Sequence, residues 1–231
     1  MPHIEFAIRS VNRWFWPASH GDLCAAGFFQ LLPQGIVPND GAATVERLRG
    51  DATPYLAGAY LLFLTYVMDV VVAWALYWLL RPGQEALSLL VAWMRLVYTA
   101  LAFIGLMAYF QAYELAAAPD LSAIANVGSL QHDVMSRLLA AQTTTNVALS
   151  FFGVHLLVMG AVIWRAKHVP RWTGIVVALA GAAYVLMNAA GHFAPQLSVG
   201  WLMVFALGEL VFMVWLLVAG WRLTDTVPNG T

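Results

Sequence analysis

Charged residues are scarce in this sequence, and their scarcity sets the first limit on what the chain can be. Only 10% of the 231 residues are charged, whereas 61% are hydrophobic. About a quarter of the residues of an ordinary soluble domain are charged. A water-soluble fold of this length could not bury so much apolar surface, so the composition predicts an integral membrane protein whose outer face contacts a lipid bilayer.

Cysteine and net charge are also nearly absent. Cys24 is the only cysteine, which excludes an internal disulfide and a thiolate cluster for zinc or iron–sulfur. The net charge of −1 gives no support to a nucleic-acid partner. No phosphate-binding loop, nucleophile elbow or paired metal motif occurs, and His155 and His192 lie at different depths, which fits a shared haem poorly. We therefore expect no metal and no cofactor.

Long apolar stretches predict an all-α, polytopic bundle of about six transmembrane helices. Crossing about 30 Å of hydrocarbon takes roughly 20 helical residues. A short stretch, Leu23–Val37, contains Pro33 and Gln34; we interpret it as a kinked first span, with a re-entrant or surface segment as the alternative. The five longer stretches are Pro54–Leu80, Ala86–Leu115, Ala140–Trp164, Trp172–Ala190 and Val199–Trp221.

The ends of the chain differ from the bundle, which we assign to residues 21–223. Residues 1–20 predict a cytoplasmic amphipathic segment, because apolar side chains fall on one helical face from Ile4 to Phe15. A frayed polar tail is the alternative. Residues 224–231 are a short tail. Most lysines and arginines fall on the side that holds both predicted termini, which indicates that both are cytoplasmic.

One long loop, Pro119–Leu139, is predicted to sit at the opposite, outer side of the bundle. Within it, Leu121–Val127 and Leu130–Leu139 are interpreted as a small cap over the mouth of the bundle. Glu114 and His192 lie near the outer ends of their spans, and we expect them to line that mouth together with His132 and Asp133.

Four ionisable residues, Asp69, Arg95, His155 and Glu209, lie inside apolar stretches and are the best candidates for a functional site. Counting along each span at 1.5 Å per residue places each of them about 14–20 Å from the cytoplasmic end. All four thus fall near the middle of the membrane. Charged groups at that depth are costly unless they are paired or used, so we predict a ligand site there.

Asp69 and Arg95 are the expected ion pair of this cluster. The short turn Arg81–Gln84 makes their two helices antiparallel neighbours, and both residues lie at one depth. The guanidinium fork of arginine suits a bidentate grip on a carboxylate, and Tyr66 and Tyr98 are close enough in sequence to take part. A pair that merely determines which helices meet is the competing interpretation.

His155 and Glu209 are expected to form a second polar pair if the fourth and sixth spans touch. Small residues suggest where helices approach closely. They occur at four-residue spacing in the fifth span, at Gly174 and Ala178 with Gly181 nearby, and in the fourth span at Gly153 and Gly160.

Several of these patterns together resemble a known family. The segments that carry the resemblance are Met68–Tyr77 with Leu79–Pro82, Leu87–Leu90, Arg95-Leu96, Phe151–Leu157 with Gly160, Val169–Arg171 with Gly174, Gly181 with Tyr184, and Gly208-Glu209. The chain is similar over 47–223 to bacterial six-helix membrane proteins of domain-of-unknown-function family 4386, and departs from them in its aromatic, arginine-bearing N-terminus. The resemblance implies a helical fold in the bacterial inner membrane. It implies no activity and no catalytic residue.

Three functions fit the sequence. The first is a protein that binds or moves a small amphiphilic or lipid-like ligand, with Arg95 gripping an anionic group while His155 and Glu209 handle a proton. The second is an accessory or structural subunit of a larger membrane complex, in which the four residues only specify the bundle. The third is an intramembrane enzyme with His155 and Glu209 as an acid–base pair. The sequence leaves enzyme status open.

Overall fold

The protein is an all-α bundle of apolar helices. The computed structural model describes residues 30–82, 84–118 and 127–224, and these contain no strand. Two short 3-10 helices, Leu32–Gly35 and Gly200–Leu202, precede α1 and α6. The α-helices of the described residues are α1 (Gly41–Gly50), α2 (Thr53–Leu80), α3 (Glu85–Ala117), α4 (Val127–Arg165), α5 (Arg171–Phe193) and α6 (Met203–Thr224).

The helices α2 to α5 are each long and apolar enough to cross a membrane, and α6 belongs to a shorter apolar stretch, Gly200–Leu216. Their outer faces carry large apolar side chains, such as Trp93, which is 61% exposed, and Ile104, which is 57% exposed. Such a surface is unfavourable in water and suits contact with lipid. The helices also satisfy their own backbone hydrogen bonds, as hydrocarbon requires. The predicted helical membrane bundle is confirmed.

The bounds of the five longer predicted spans agree with α2 to α6, except at the start of α4. Leu130–Leu139 is not a separate cap, because α4 runs without interruption from Val127 to Arg165. The sequence gives the physical reason, because neither proline nor glycine occurs from Ser129 to Phe152. The amphipathic turns therefore continue as one helix into the apolar span.

The predicted first span cannot be followed throughout. Residues 23–29 lie outside the described residues, and the described part consists of two helical residues, the 3-10 helix Leu32–Gly35 and the two residues that follow it. The ten-residue helix α1, which was not predicted, follows. The predicted amphipathic segment 1–20, the tail 225–231 and residues 121–126 of the predicted cap also lie outside the described residues, and the division of the chain into these segments stays a prediction.

The described chain forms two compact units, and α2, α3 and α4 each contribute residues to both. The first, here called the Arg95 unit, comprises Met68–Thr99 and the described part of Val147–Thr231. The second, here called the Tyr55 unit, comprises the described parts of His20–Val67 and Ala100–Asn146.

Glycines bring α4 and α5 into backbone contact within the Arg95 unit. A Cβ atom on Gly181 would lie 2.5 Å from the carbonyl oxygen of Gly153, and one on Gly160 would lie 2.6 Å from that of Gly174. No side chain larger than hydrogen fits at these positions, so the close packing predicted from the small residues is confirmed.

Side-chain hydrogen bonds tie the helix ends of the Arg95 unit together. Ser88 Oγ donates to the carbonyl of Tyr77, 2.6 Å away, in addition to the bond that this carbonyl accepts from the backbone N–H of Arg81 at 2.9 Å. Gln84 Nε2 donates to the carbonyl of Val162 near the end of α4 at 3.2 Å. His168, in the loop between α4 and α5, places Nε2 2.6 Å from the carbonyl oxygen of Leu79. The α2–α3 turn and the α4–α5 loop therefore lie at one end of this unit.

The Tyr55 unit is held by buried hydrogen bonds and close packing. The fully buried Tyr55 donates its hydroxyl proton to the carbonyl of Tyr109 at 2.8 Å. Arg49 Nε donates to the carbonyl of Ala116 at 2.7 Å, which satisfies an acceptor in the last turn of α3. A Cβ atom on Gly58 would lie 2.6 Å from the backbone nitrogen of Leu32, so the 3-10 helix packs directly on α2.

Candidate functional site

Arg95 and Asp69 form the predicted ion pair inside the Arg95 unit. Both are buried, with 7% and 6% of their surface exposed. Arg95 donates from Nε to Asp69 Oδ1 at 3.0 Å and also from Nη2 to the same oxygen. The grip therefore differs from the predicted bidentate one, because both donors converge on one carboxylate oxygen instead of using two.

Glu209 adds a second carboxylate to the same arginine. Its Oε1 lies 3.7 Å from Arg95 Nη1, which is an ion-pair distance but too long for a hydrogen bond. The side chain of Glu209 is 30% exposed, whereas that of Arg95 is 9% exposed. Glu209 therefore contacts Arg95 less closely than Asp69 does, and its side chain is the more exposed of the two carboxylates. One guanidinium faces two carboxylates.

The ring of Phe152 contacts several side chains of this cluster. The guanidinium carbon of Arg95 lies 5.3 Å from the centre of the Phe152 ring, which is a cation–π distance. The same ring packs against Tyr98 at 4.5 Å and against Tyr184 at 5.7 Å between ring centres. The aromatic cluster excludes water from one side of Arg95 and so strengthens every electrostatic contact that the arginine makes.

His155 lies one turn along α4 from Phe152 and is completely buried. Its ring stacks on Phe152 at 5.6 Å. Among the described residues neither ring nitrogen has a hydrogen-bond partner; the carbonyl of Val91 faces the ring without meeting hydrogen-bond geometry. A buried imidazole without a partner costs free energy, so it calls for an explanation.

The predicted pair between His155 and Glu209 is wrong, because Glu209 pairs with Arg95 instead. The packing of α6 accounts for this. A Cβ atom on Gly208 would overlap the carbonyl oxygen of Val176, so α6 lies directly against α5 at this residue. That contact sets the rotation of α6 and with it the direction in which the next residue, Glu209, approaches Arg95.

Tyr98 and Tyr66, proposed as secondary site residues, lie in different units. Tyr98 belongs to the Arg95 unit and contacts Phe152. Tyr66 belongs to the Tyr55 unit, where its ring packs against Phe103 at 5.4 Å. Tyr98 therefore remains a candidate for the site, and Tyr66 has a packing contact of its own.

Two of the residues predicted to line the outer mouth, Glu114 and Asp133, line adjoining grooves in the Tyr55 unit. Glu114 lines an open groove of about 360 Å³ in the Tyr55 unit together with Gln111 and Arg137. Asp133 lines an adjoining groove that shares Arg137. His192 belongs to the other unit, is exposed, and directs Nδ1 toward the carbonyl oxygen of Asn188 at 2.9 Å. No group of three potential metal ligands occurs among the described residues.

Sequence reasoning missed Phe152 as part of the cluster. The available signal was its position three residues before His155, which places both rings on one face of α4. Phenylalanine in an apolar span nevertheless gives no chemical reason to single it out, since most such residues only pack. Its importance follows from the guanidinium that lies over it.

Comparisons with known proteins identify a family and assign no activity. The family described as Domain of unknown function (DUF4386) matches residues 23–220. A protein described as uncharacterized from the archaeon Archaeoglobus fulgidus is 28% identical over 168 residues, which is 73% of this chain and 86% of that protein. No solved structure matches.

Proposed function

We propose that this chain, which belongs to the family DUF4386, binds a small amphiphile with an anionic head group. The proposal rests on the chemistry of the chain's own site. The head group is held by Arg95 Nη1 and by a ring N–H of His155, and the apolar tail lies along the lipid-facing surface beside α6. A carboxylate, phosphate or sulfonate has the required charge and acceptor oxygens.

The unpartnered, fully buried His155 is the observation that carries this proposal. Arg95 supplies a positive charge nearby, because the guanidinium and the His155 ring both contact the ring of Phe152. An anion bound between them receives a charge-assisted hydrogen bond from the arginine and a second bond from the imidazole. The orphaned nitrogen then has a partner, and the cost of its burial is recovered on binding.

The long contact between Arg95 and Glu209 supplies the point of entry. Oε1 lies 3.7 Å from Nη1 and accepts no hydrogen bond from it. An anion that binds Nη1 therefore breaks no hydrogen bond to Glu209, whereas at Asp69 it would have to break two. Residues on either side of Glu209, such as Phe205 and Leu210, are exposed and apolar. An amphiphile arriving from the bilayer thus meets apolar side chains on α6 beside the carboxylate of Glu209.

Orientation follows from the distribution of cations at one end of the Arg95 unit. Arg165, Lys167 and Arg171 are exposed in and beside the α4–α5 loop, which His168 ties to the end of α2. Clustered lysine and arginine favour the cytoplasmic side. This supports placing both termini in the cytoplasm and the chain in a cytoplasmic membrane, with the ligand site between the two leaflets.

Equilibrium binding of radiolabelled dodecanesulfonate to the protein in dodecyl maltoside tests the proposal. We expect saturable binding of one molecule per chain. Arg95→Lys keeps the charge but loses the planar fork, and should weaken binding about tenfold or more, the worth of about 1.4 kcal/mol. Arg137→Lys, a matched change in the Tyr55 unit, should bind as the unmodified protein does. Equal saturable binding by both variants, or no saturable binding at all, would contradict the proposal.

A further inference from the structure

The loop between α4 and α5 carries a surplus of positive charge. Arg165 ends α4, Lys167 lies in the loop and Arg171 begins α5, and all three residues are exposed. Residues 164–172 include no aspartate or glutamate. Within the described part of the chain, no carboxylate lies at ion-pair distance from any of these three cations. The loop therefore presents three positive charges that the described residues do not neutralise.

The carboxylate of Glu85, at the same end of the Arg95 unit, is engaged by other groups. It lies 3.1 Å from Arg81 Nη2 and accepts a hydrogen bond from the Tyr77 hydroxyl at 3.2 Å. The guanidinium carbon of Arg81 lies 5.1 Å from the centre of the Trp78 ring, a cation–π distance. Because Glu85 and Arg81 neutralise each other, they leave the charge of the α4–α5 loop unchanged.

Contacts with neighbouring helices hold the loop in one position. Ala166 and Val169 are buried, so their side of the loop packs against the helices, while Lys167 between them is exposed. His168 Nε2 lies 2.6 Å from the carbonyl oxygen of Leu79 at the end of α2. A fixed set of cations loses less conformational freedom on binding a ligand than a mobile set does.

Two tryptophans place these cations at the level of the lipid head groups. Trp164 and Trp172, at the adjoining ends of α4 and α5, are 48% and 46% exposed. Tryptophan favours the boundary between hydrocarbon and water. The guanidinium carbon of Arg171 lies 5.8 Å from the centre of the Trp164 ring, so Arg171 extends to the end of α4, the helix that Arg165 completes. Cations from both helices thus lie together at the membrane boundary.

We propose that Arg165, Lys167 and Arg171 bind the phosphate groups of anionic phospholipids in the surrounding bilayer. A phosphate diester offers charged oxygens, which arginine and lysine bind through charge-assisted hydrogen bonds. The exposed ring of Trp164 lies beside the glycerol backbone of the bound lipid. Ion pairs between exposed groups are weak, so the lipid exchanges rapidly and the contact requires a bilayer, not a detergent micelle. The surface lies about 15 Å along α4 from His155, and neither proposal depends on the other.

Electron paramagnetic resonance of spin-labelled lipids tests this surface, with the full chain reconstituted in phosphatidylcholine bilayers. We expect spin-labelled phosphatidylglycerol to be enriched beside the unmodified protein about twofold or more over spin-labelled phosphatidylcholine, because each cation near the head groups attracts anionic lipid. The triple variant Arg165→Gln, Lys167→Gln, Arg171→Gln should lose most of this enrichment. The charge-conserving triple variant Arg165→Lys, Lys167→Arg, Arg171→Lys should retain most of it.

Salt provides a second measurement on the unmodified protein. Raising the ionic strength from about 0.1 M to about 1 M shortens the Debye length from about 10 Å to about 3 Å, so the enrichment should fall by about half or more. An enrichment that is insensitive to salt, that persists in the neutral triple variant, or that is absent from the unmodified protein overturns the proposed lipid surface. If the neutral triple variant fails to fold, Lys167→Gln, a change of one exposed loop residue, replaces it. This variant should lose about a third of the enrichment, and no loss would overturn the proposal.

Discussion

Arg95 donates two hydrogen bonds to a single oxygen of Asp69, from Nε and from Nη2, and so joins α2 to α3 in the buried part of the Arg95 unit. This geometry leaves Nη1 directed toward Glu209 at 3.7 Å. A doubly hydrogen-bonded ion pair and a longer ion-pair contact thus meet on the same guanidinium. The first holds the helices, and the second is where the proposed ligand exchanges.

Removing Arg95 should destabilise the protein far more than neutralising Asp69. Arg95→Ala leaves the buried carboxylate of Asp69 without the arginine it pairs with, and breaking a buried pair in this way costs roughly 3–5 kcal/mol. Asp69→Asn keeps an oxygen that accepts from Nε and Nη2, while Glu209 still compensates the arginine. Thermal melting in dodecyl maltoside measures the difference, and equal, near-unmodified melting of both variants would contradict a stabilising role for the pair.

Replacing His155 by leucine should leave the fold intact or strengthen it, while weakening ligand binding. The ring nitrogens have no hydrogen-bond partner among the described residues, so leucine loses no bond and removes a buried polar group. Loss of one ligand hydrogen bond should weaken dodecanesulfonate binding by roughly tenfold, or about 1.5 kcal/mol. A large drop in melting temperature would instead identify His155 as a structural residue.

Two glycines of α5 should respond in opposite ways to alanine. Gly181→Ala drives a Cβ atom to 2.5 Å from the Gly153 carbonyl oxygen and should cost roughly 1–3 kcal/mol as the helices move apart. Gly191→Ala meets nothing within 4 Å and should be neutral or stabilising by up to about 1 kcal/mol, because alanine favours the helix. Chemical denaturation of both variants checks this; equal effects would contradict the backbone contact between α4 and α5.

The start of α2 should weaken in acid through Asp51, which lies outside the membrane-spanning segments. Its Oδ1 accepts from the backbone N–H of Thr53 at 2.9 Å, and this bond lowers the pKa of the Asp51 carboxyl. Because the folded-state pKa is the lower one, the contribution is complete above the unfolded pKa of about 4 and is lost as the pH falls through the folded value. The melting difference between the unmodified protein and Asp51→Ala should therefore shrink below about pH 4. A difference that stays constant or grows in acid would be inconsistent with this hydrogen bond.

The helices of this fold could be predicted from the sequence because the bilayer imposes one rule on every span. Each apolar stretch long enough to cross must satisfy its own backbone, so Pro54–Leu80 and Trp172–Ala190 differ from α2 and α5 by only a few residues. The helix α1 escaped prediction because it is short and lacks an apolar run. Its start instead depends on a local contact, the bond from Ala43 N–H to Asp40 Oδ1.

The site was only half predictable. Asp69 and Arg95 lie on helices joined by a tight turn, so depth alone was enough to pair them. Glu209 and His155 lie on helices whose rotation depends on packing, in particular on Gly208 against Val176. The position of a residue along its span predicts its depth in the membrane. It does not predict which face of each helix contacts which neighbouring helix.

Native mass spectrometry of the protein, extracted in a mild detergent without added ligand, tests anion binding at Arg95 most directly. We predict a single bound anionic amphiphile on the unmodified chain, whose fragmentation identifies its head group, and its loss from Arg95→Lys but not from Arg137→Lys. The account would be contradicted by a chain without bound ligand, by a stable complex with other membrane proteins, or by a lipid that all three proteins retain equally. The Arg95 cluster would then serve only to join helices.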